Sequence, residues 1–183
     1  MKSLIILLTA IALLIPSSAF AEEVDIKKSN ITWTASKVTG STHTGQIFPT
    51  SSAVTLKAGK VIGGQVVFDM KTFTVTDLEG KWADKFLNHV KGSDFLNVEL
   101  HPTATLKILS VKGEEASGEL KLMGKTQKIV FPLKKKGNAW VGDAVFDRTK
   151  FGMIYGSNDF IKGLGDKAIA NQVKVAFNIV IKS

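Results

Sequence analysis

The sequence predicts an all-β domain of eight antiparallel strands, interrupted once by a helix. Three observations carry that prediction. Apolar and polar residues alternate at period two over most of residues 31 to 181, and short turn signals separate the alternating runs. One segment alone, residues 77 to 91, switches to an apolar residue every fourth position. A strand with one face on a core and one in water alternates in this way, whereas a helix repeats every 3.6 residues.

Taken in order, Ile31, Trp33 and Ala35 share one face, opposite Thr32, Thr34 and Ser36, and a second strand covers about 43 to 56. In the third, Ile62, Val66, Phe68 and Met70 are read as inward against Gln65 and Asp69, with Gly63-Gly64 easing a sharp bend. Ala104, Leu106 and Ile108 follow, then Gly118, Leu120 and Leu122, then Ile129, Phe131 and Leu133. Trp140, Ala144 and Phe146 make a seventh set. The last runs Val173, Val175, Phe177, Ile179 and Ile181 against Lys174, Asn178 and Lys182. Turns are signalled at 57–60, 112–115, 123–125 and 136–138, each with a glycine. Short strands joined by short turns argue for a closed barrel or a sandwich and against βαβ units.

Two segments break the pattern. From Asp77 to Lys91 the residues Leu78, Trp82, Phe86 and Val90 form a stripe, which predicts a helix of about four turns capped by Asp77 and stopped at Gly92. Ser93-Asp94 then caps a short helical turn carrying Phe95 and Leu96. Residues 149 to 170, rich in Gly, Asn and Asp, read as a long loop.

Residues 1 to 21, MKSLIILLTAIALLIPSSAFA, place Lys2 before an apolar run ending at Ile15, then Pro16 and the small-residue exit Ala19-Phe20-Ala21. That is the pattern of a secretory signal peptide cleaved after Ala21. The run is shorter than the ~20 residues of a spanning helix. The expected product is a single domain, residues 22 to 183, exported to a bacterial periplasm.

With no cysteine, the chain has no disulfide, thiol nucleophile, iron–sulfur cluster or covalent c-type haem. Without Lys2 the 24 basic residues become 23 against 16 acids, a net charge of +7. Arg148 is the only arginine. Nucleic-acid readers lean on arginine for bidentate base contacts, so nucleic acid is not an expected partner. A lysine-coated surface suits solubility, or a transient approach to an anionic membrane face without a span.

The chemistry-bearing side chains are few. His89 lies three residues after Phe86, on the edge of the helix stripe. One reading makes it a structural imidazole where helix and strands meet; the other puts it at a cavity mouth against a ligand head group. His101, before Pro102, is expected to face solvent. Three scattered histidines do not make the convergent three or four ligands of a zinc site. No serine sits in a G-x-S-x-G elbow. Arg148 is expected to pair with Asp77 or Asp147 and pin the long loop, or else to clamp an anionic lipid head. Tyr155 offers a hydroxyl in the same loop. Trp33, Phe68, Met70, Phe146 and Phe177 fit either a filled core or the wall of a hollow one.

Beyond single residues, an ordered set of short motifs runs along the chain. It comprises Ile31-Thr-Trp33, Lys37-Val-Thr-Gly40, Thr44-Gly45, Gly63-Gly64, Val67-Phe-Asp-Met70 and Thr76-Asp77. Leu87-Asn-His-Val90, Ser93-Asp-Phe95, Pro102-Thr-Ala104, Gly118-Glu-Leu120, Gly124-Lys-Thr126 and Phe146-Asp-Arg-Thr-Lys-Phe-Gly152 follow. In this order they resemble the YceI-like family of exported, lipocalin-like proteins. Leu96 stands where an aromatic is commoner, Leu106 where Phe is usual, and His101 before Pro102; these are mild changes of pocket lining.

The resemblance implies an eight-stranded lipocalin-like barrel around an elongated apolar cavity. It implies a periplasmic carrier of a polyisoprenoid, an isoprenoid quinone or a similar long-chain amphiphile, with no covalent cofactor and no enzymatic activity, as monomer or homodimer. The expected cavity lining is Trp33, Phe68, Met70, Trp82, Phe86, His89, Phe95, Leu106, Phe146, Arg148, Tyr155 and Phe177. The alternative is a secreted interaction or inhibitor protein that uses the barrel as a scaffold without a lipid. An enzyme acting on a bound lipid would need His89, Arg148 and a carboxylate to converge on the mouth.

Overall fold

Alternation at period two does produce strands, but they assemble as two sheets. The computed structural model describes residues 19 to 182. Its strands are β1 (Ala19–Glu22), β2 (Asn30–Lys37), β3 (Thr42–Gln46), β4 (Phe48–Lys57), β5 (Lys60–Asp69) and β6 (Thr103–Lys112). After them come β7 (Glu115–Leu122), β8 (Lys125–Pro132), β9 (Lys134–Lys136), β10 (Ala139–Asp147) and β11 (Ile169–Val180). Among the described residues one α-helix, α1 (Gly80–Lys91), lies between β5 and β6, and short 3-10 turns cover Met70–Thr72, Arg148–Phe151 and Gly165–Lys167. The six-stranded sheet has the order β1-β4-β5-β6-β7-β8 and the five-stranded sheet β3-β2-β11-β10-β9, with antiparallel ladders throughout.

The expected eight-stranded closed barrel is therefore corrected to eleven strands in two facing sheets. The run at 43 to 56 changes sheet at Ile47, which parts β3 from β4; Leu133 parts β8 from β9 in the same way. A proline ends β8, and it has no N–H with which to extend a ladder. At that seam β10 closes on β8 by backbone packing: a Cβ at Gly142 would sit 2.0 Å from the Pro132 carbonyl oxygen. The free edge of β3 is covered by the segment after β5, where Thr74 N–H donates to Gln46 O and Thr76 N–H to Thr44 O.

The third additional strand, β1, pairs with β4 from Ala19 against Lys57 to Glu22 against Val54. The expected cleavage point after Ala21 falls inside it, and the rest of the expected signal peptide, residues 1 to 18, lies outside the described residues.

A second correction concerns phase. In β5 the buried residues are Val61 and Val66, five positions apart, and Ile62 faces solvent. An odd spacing needs one extra residue in the ladder, and the register slips between Thr55 and Leu56, opposite Gly63 and Val61. Gly64, at φ +131°, carries the strand through this bulge, because a Cβ there would lie 2.4 Å from Ala53 O. In β6 the register slips again between Ile108 and Ser110, so the next residue packed inward is Val111, an odd three positions on.

The helix is shorter than predicted, about three turns. Its N-cap is Glu79, whose side chain makes no capping bond, and Asp77 is engaged elsewhere. No residue of α1 is buried. Ser93 and Asp94 begin turns and no second helix. The buried side chains form two clusters, one around Val24, Phe131 and Trp140 and the other around Trp33, Met70, Leu96 and Phe151.

Candidate ligand cavity

Because both sheets turn their apolar faces inward, the space between them is lined by alternate residues of nearly every long strand. Those side chains leave a cavity of about 520 Å³. One wall carries Val66, Phe68, Ala104, Leu106, Ile108, Leu120, Leu122 and Phe131. The other carries Ile31, Trp33, Ala35, Trp140, Ala144, Phe146, Val175 and Phe177. Phe131 and Phe177 meet edge to face across the interior at 5.9 Å. Val24, paired with Ile181, lies buried in the cluster at the closed end.

Polar lining collects at the other end. Lys37, Ser41 and His43 come from the β2–β3 hairpin, His89 from α1, and Tyr155 and Lys167 from the loop before β11. These three segments touch one another around the opening. Val38 N–H donates to Ala168 O at 3.0 Å, the His43 ring packs at a tilt against Phe86 at 4.7 Å, and His89 meets Tyr155 edge-on at 4.8 Å. Phe86 also lies parallel to Trp33 at 6.1 Å, so α1 is laid over the cavity through Phe86 together with His89 and Val90.

Each mouth histidine has a carboxylate. Nδ1 of His43 is 2.8 Å from Oδ2 of Asp77, whose Oδ1 accepts the Thr44 N–H at 2.8 Å. Burial raises the affinity of Asp77 for a proton, but the bonds from Thr44 and His43 outweigh it and hold the carboxyl below the usual carboxylate range. His89 places Nε2 at 3.1 Å from Oδ2 of Asp94 and packs edge-on against Phe95 at 5.1 Å. The structure thus gives His89 a carboxylate partner at the cavity mouth.

Arg148 is the main correction among the polar groups. It is 2% exposed and makes no ion pair with Asp77 or Asp147. Its guanidinium donates to four backbone carbonyls: Ala170 at 3.0 Å, Ile169 at 3.0 Å, Tyr155 at 2.9 Å and Met153. Burial pushes the guanidinium down from its ordinary value, partly offset by nearby Asp147. It remains a cation, since arginine does not deprotonate in proteins. Asp147 instead caps the turn after β10, accepting from Thr149 N–H at 2.9 Å. Arg148 does pin the long loop, through carbonyls.

Of the twelve residues expected to line the cavity, eleven border it: Trp33, Phe68, Met70, Phe86, His89, Phe95, Leu106, Phe146, Arg148, Tyr155 and Phe177. Trp82 does not; it is 71% exposed, one turn outside Phe86 on the α1 stripe. His101 lies away from the cavity, its ring 3.4 Å from where a Cβ on Gly124 would be. Sequence reasoning passed over His43, Ile47, Phe73 and Met153, which also border the cavity, as does Leu96, noted there as a change of pocket lining. The alternation of His43 and Gly45 with Thr42, Thr44 and Gln46 in β3 was the available signal for His43. Among the described residues no three His, Asp or Glu side chains group as a metal site.

Comparison with known proteins agrees with this architecture. A family model described as the YceI-like domain matches residues 23–181. No curated protein matches the chain. Among solved structures, BcnA of Burkholderia cenocepacia superposes with a TM-score of 0.64 at 18% identity, over 87% of this chain and 99% of that one. A polyisoprenoid binding domain from Saccharophagus degradans gives 0.63 at 14% identity, over 90% and 99%. A mutant of the Campylobacter jejuni YceI protein gives 0.55 at 12% identity, over 100% and 99%. At such identities these likenesses establish the fold alone. The family match over residues 23–181, on a chain whose two sheets enclose an apolar cavity, shows that the protein belongs to the YceI-like family.

Proposed function

We propose that the protein is a periplasmic carrier for one long-chain apolar molecule, a polyisoprenoid, an isoprenoid quinone or a similar amphiphile, and that it does no chemistry on its cargo. The observation that carries this reading is the cavity: about 520 Å³, walled by aromatic and aliphatic side chains, with its polar groups confined to one open end. Pockets that take small organic ligands fall in the same range, roughly 300–1,000 Å³. Each methylene transferred from water into such a wall contributes ~0.8 kcal/mol, so a chain binds with few directed contacts. The head group would sit by Lys37, His43, His89 and Tyr155. Arg148, buried and with four hydrogen bonds already made to main-chain carbonyls, is not the anion clamp of this site. Neighbouring structures support the reading to the extent that one is itself a polyisoprenoid binding domain. Under this proposal residues 1 to 21 are removed on export and residues 22 to 183 act as one domain.

Organic-solvent extraction of the purified protein followed by mass spectrometry tests the reading. A stoichiometric long-chain species is expected. An empty extract, with no uptake of an added isoprenoid quinone, would sink it.

A further inference from the structure

The apolar stripe of α1 does not stop at the cavity. Phe86 and Val90 line the interior, but Trp82, one turn earlier on the same stripe, projects past the rim and is 71% exposed. It is not alone there. Val38 on the β2–β3 hairpin and Ile154, Tyr155, Phe160 and Ile161 on the loop before β11 are exposed on the other two segments that ring the mouth. By contrast, Ile62, Leu109, Val130 and Val145 each stand singly on the outer face of a different strand.

We propose that this rim is a docking surface for an anionic lipid bilayer, with Trp82 and Phe160 entering the headgroup–acyl boundary. Exposed aromatics on the segments around an apolar opening, flanked by lysines whose stems can reach back to the phosphates, match the interfacial pattern of membrane-surface proteins. Lys81 and Lys85 flank Trp82, the ammonium of Lys85 lying 5.9 Å from its ring centre, and Lys162 follows Ile161. Glu79, Asp84, Asp159 and Asp166 bring the rim's own charge close to balance. Attraction therefore comes from the whole chain, whose formal net charge is +8 with the leader included, while apolar contact holds the rim in place. A bilayer fits this geometry better than a protein partner. The patch surrounds an opening, and only a hydrocarbon phase on the far side continues the apolar path into the cavity. The inference rests on the carrier reading, since it supplies the route by which cargo would enter or leave.

Trp82 makes the test direct, because Trp33 and Trp140, the other two tryptophans, are buried. The protein is mixed with vesicles of phosphatidylethanolamine and phosphatidylglycerol, with and without brominated acyl chains. Tryptophan emission is expected to shift to shorter wavelength and to be quenched by the brominated chains. Trp82→Phe should co-sediment with vesicles but lose that quenching. Trp82→Ser combined with Phe160→Ser should weaken vesicle binding about tenfold or more, whereas Val130→Ser on an outer sheet face should not. All these positions are exposed, so folding is not at stake. Absence of vesicle binding, or a double variant that binds like the parent, overturns the inference. So does a rim whose substitution abolishes self-association instead, which would assign it to a second copy. Extracted cargo is measured separately: a loaded protein that ignores vesicles defeats the docking surface and leaves the carrier reading standing. An empty protein that binds them does the reverse.

Discussion

At the scale of single residues, Arg148 is the most constrained polar group in the described chain. One planar fork satisfies four carbonyls of residues 153 to 170, beside the ring of Phe95 at 6.0 Å. Carbonyls buried without donors are costly, and a lysine has one ammonium with a different geometry. Arg148→Lys is therefore expected to destabilise the protein by about 2–4 kcal/mol, measured by urea unfolding, and to expose the loop at 154–167 to limited proteolysis. Unchanged unfolding and proteolysis would show that the loop is held by something else. The sequence pointed to a loop-pinning arginine but named the wrong partners. Charge suggests a carboxylate, whereas acceptance by main-chain oxygens leaves no trace in side-chain identity.

At the scale of elements, α1 is a helix held from outside. It fully buries no residue and has no side-chain N-cap, so its position depends on Phe86, Leu87 and Val90 packed on the core, on the His89 contacts with Asp94 and Tyr155, and on the tether Asp77 makes to His43 and Thr44. The folded state holds the Asp77 carboxyl below its ordinary value. Its contribution is thus complete above the unfolded value of about 4 and is lost as pH falls through the lower folded value. Asp77→Asn is expected to lower the urea midpoint at neutral pH and to flatten its decline below about pH 4. Parallel pH curves for the two proteins would refute the tether. The helix itself was legible from its four-residue stripe, and its C-terminal stop at Gly92 was correct. Its start was not, because Asp77 can cap a helix or bind a distant strand with the same atoms.

For the molecule as a whole, hollowness is the property that matters. Ala144 is a small residue of β10 that borders the cavity without being fully buried. Ala144→Trp should direct its ring into the free volume and reduce the long-chain material that co-purifies. The thermal midpoint is expected to move by under about 4 °C, the equivalent of ~1 kcal/mol in a chain of this size. A large loss of stability would mean that the space is too small to admit a ring, and an undiminished cargo would place the ligand elsewhere.

Alternation in the sequence was enough to specify which side chains face inward along β2, β7, β8, β10 and β11, since a side chain's face depends only on its parity within an unbroken strand. The same sequence specified the hairpin turns, the helix and the family. Parity fails wherever a residue is inserted, which is why Val61 and Ile62 exchanged places at the bulge that leaves Ile62 unpaired beside Gly63-Gly64. Strand changes at Ile47 and Leu133 are likewise invisible to alternation, so an expected barrel became two sheets. Above all, the same inward aromatic residues suit a packed core or a cavity wall. Only the separation of the two sheets decides between them, because empty volume belongs to the distance between elements and to no residue in particular.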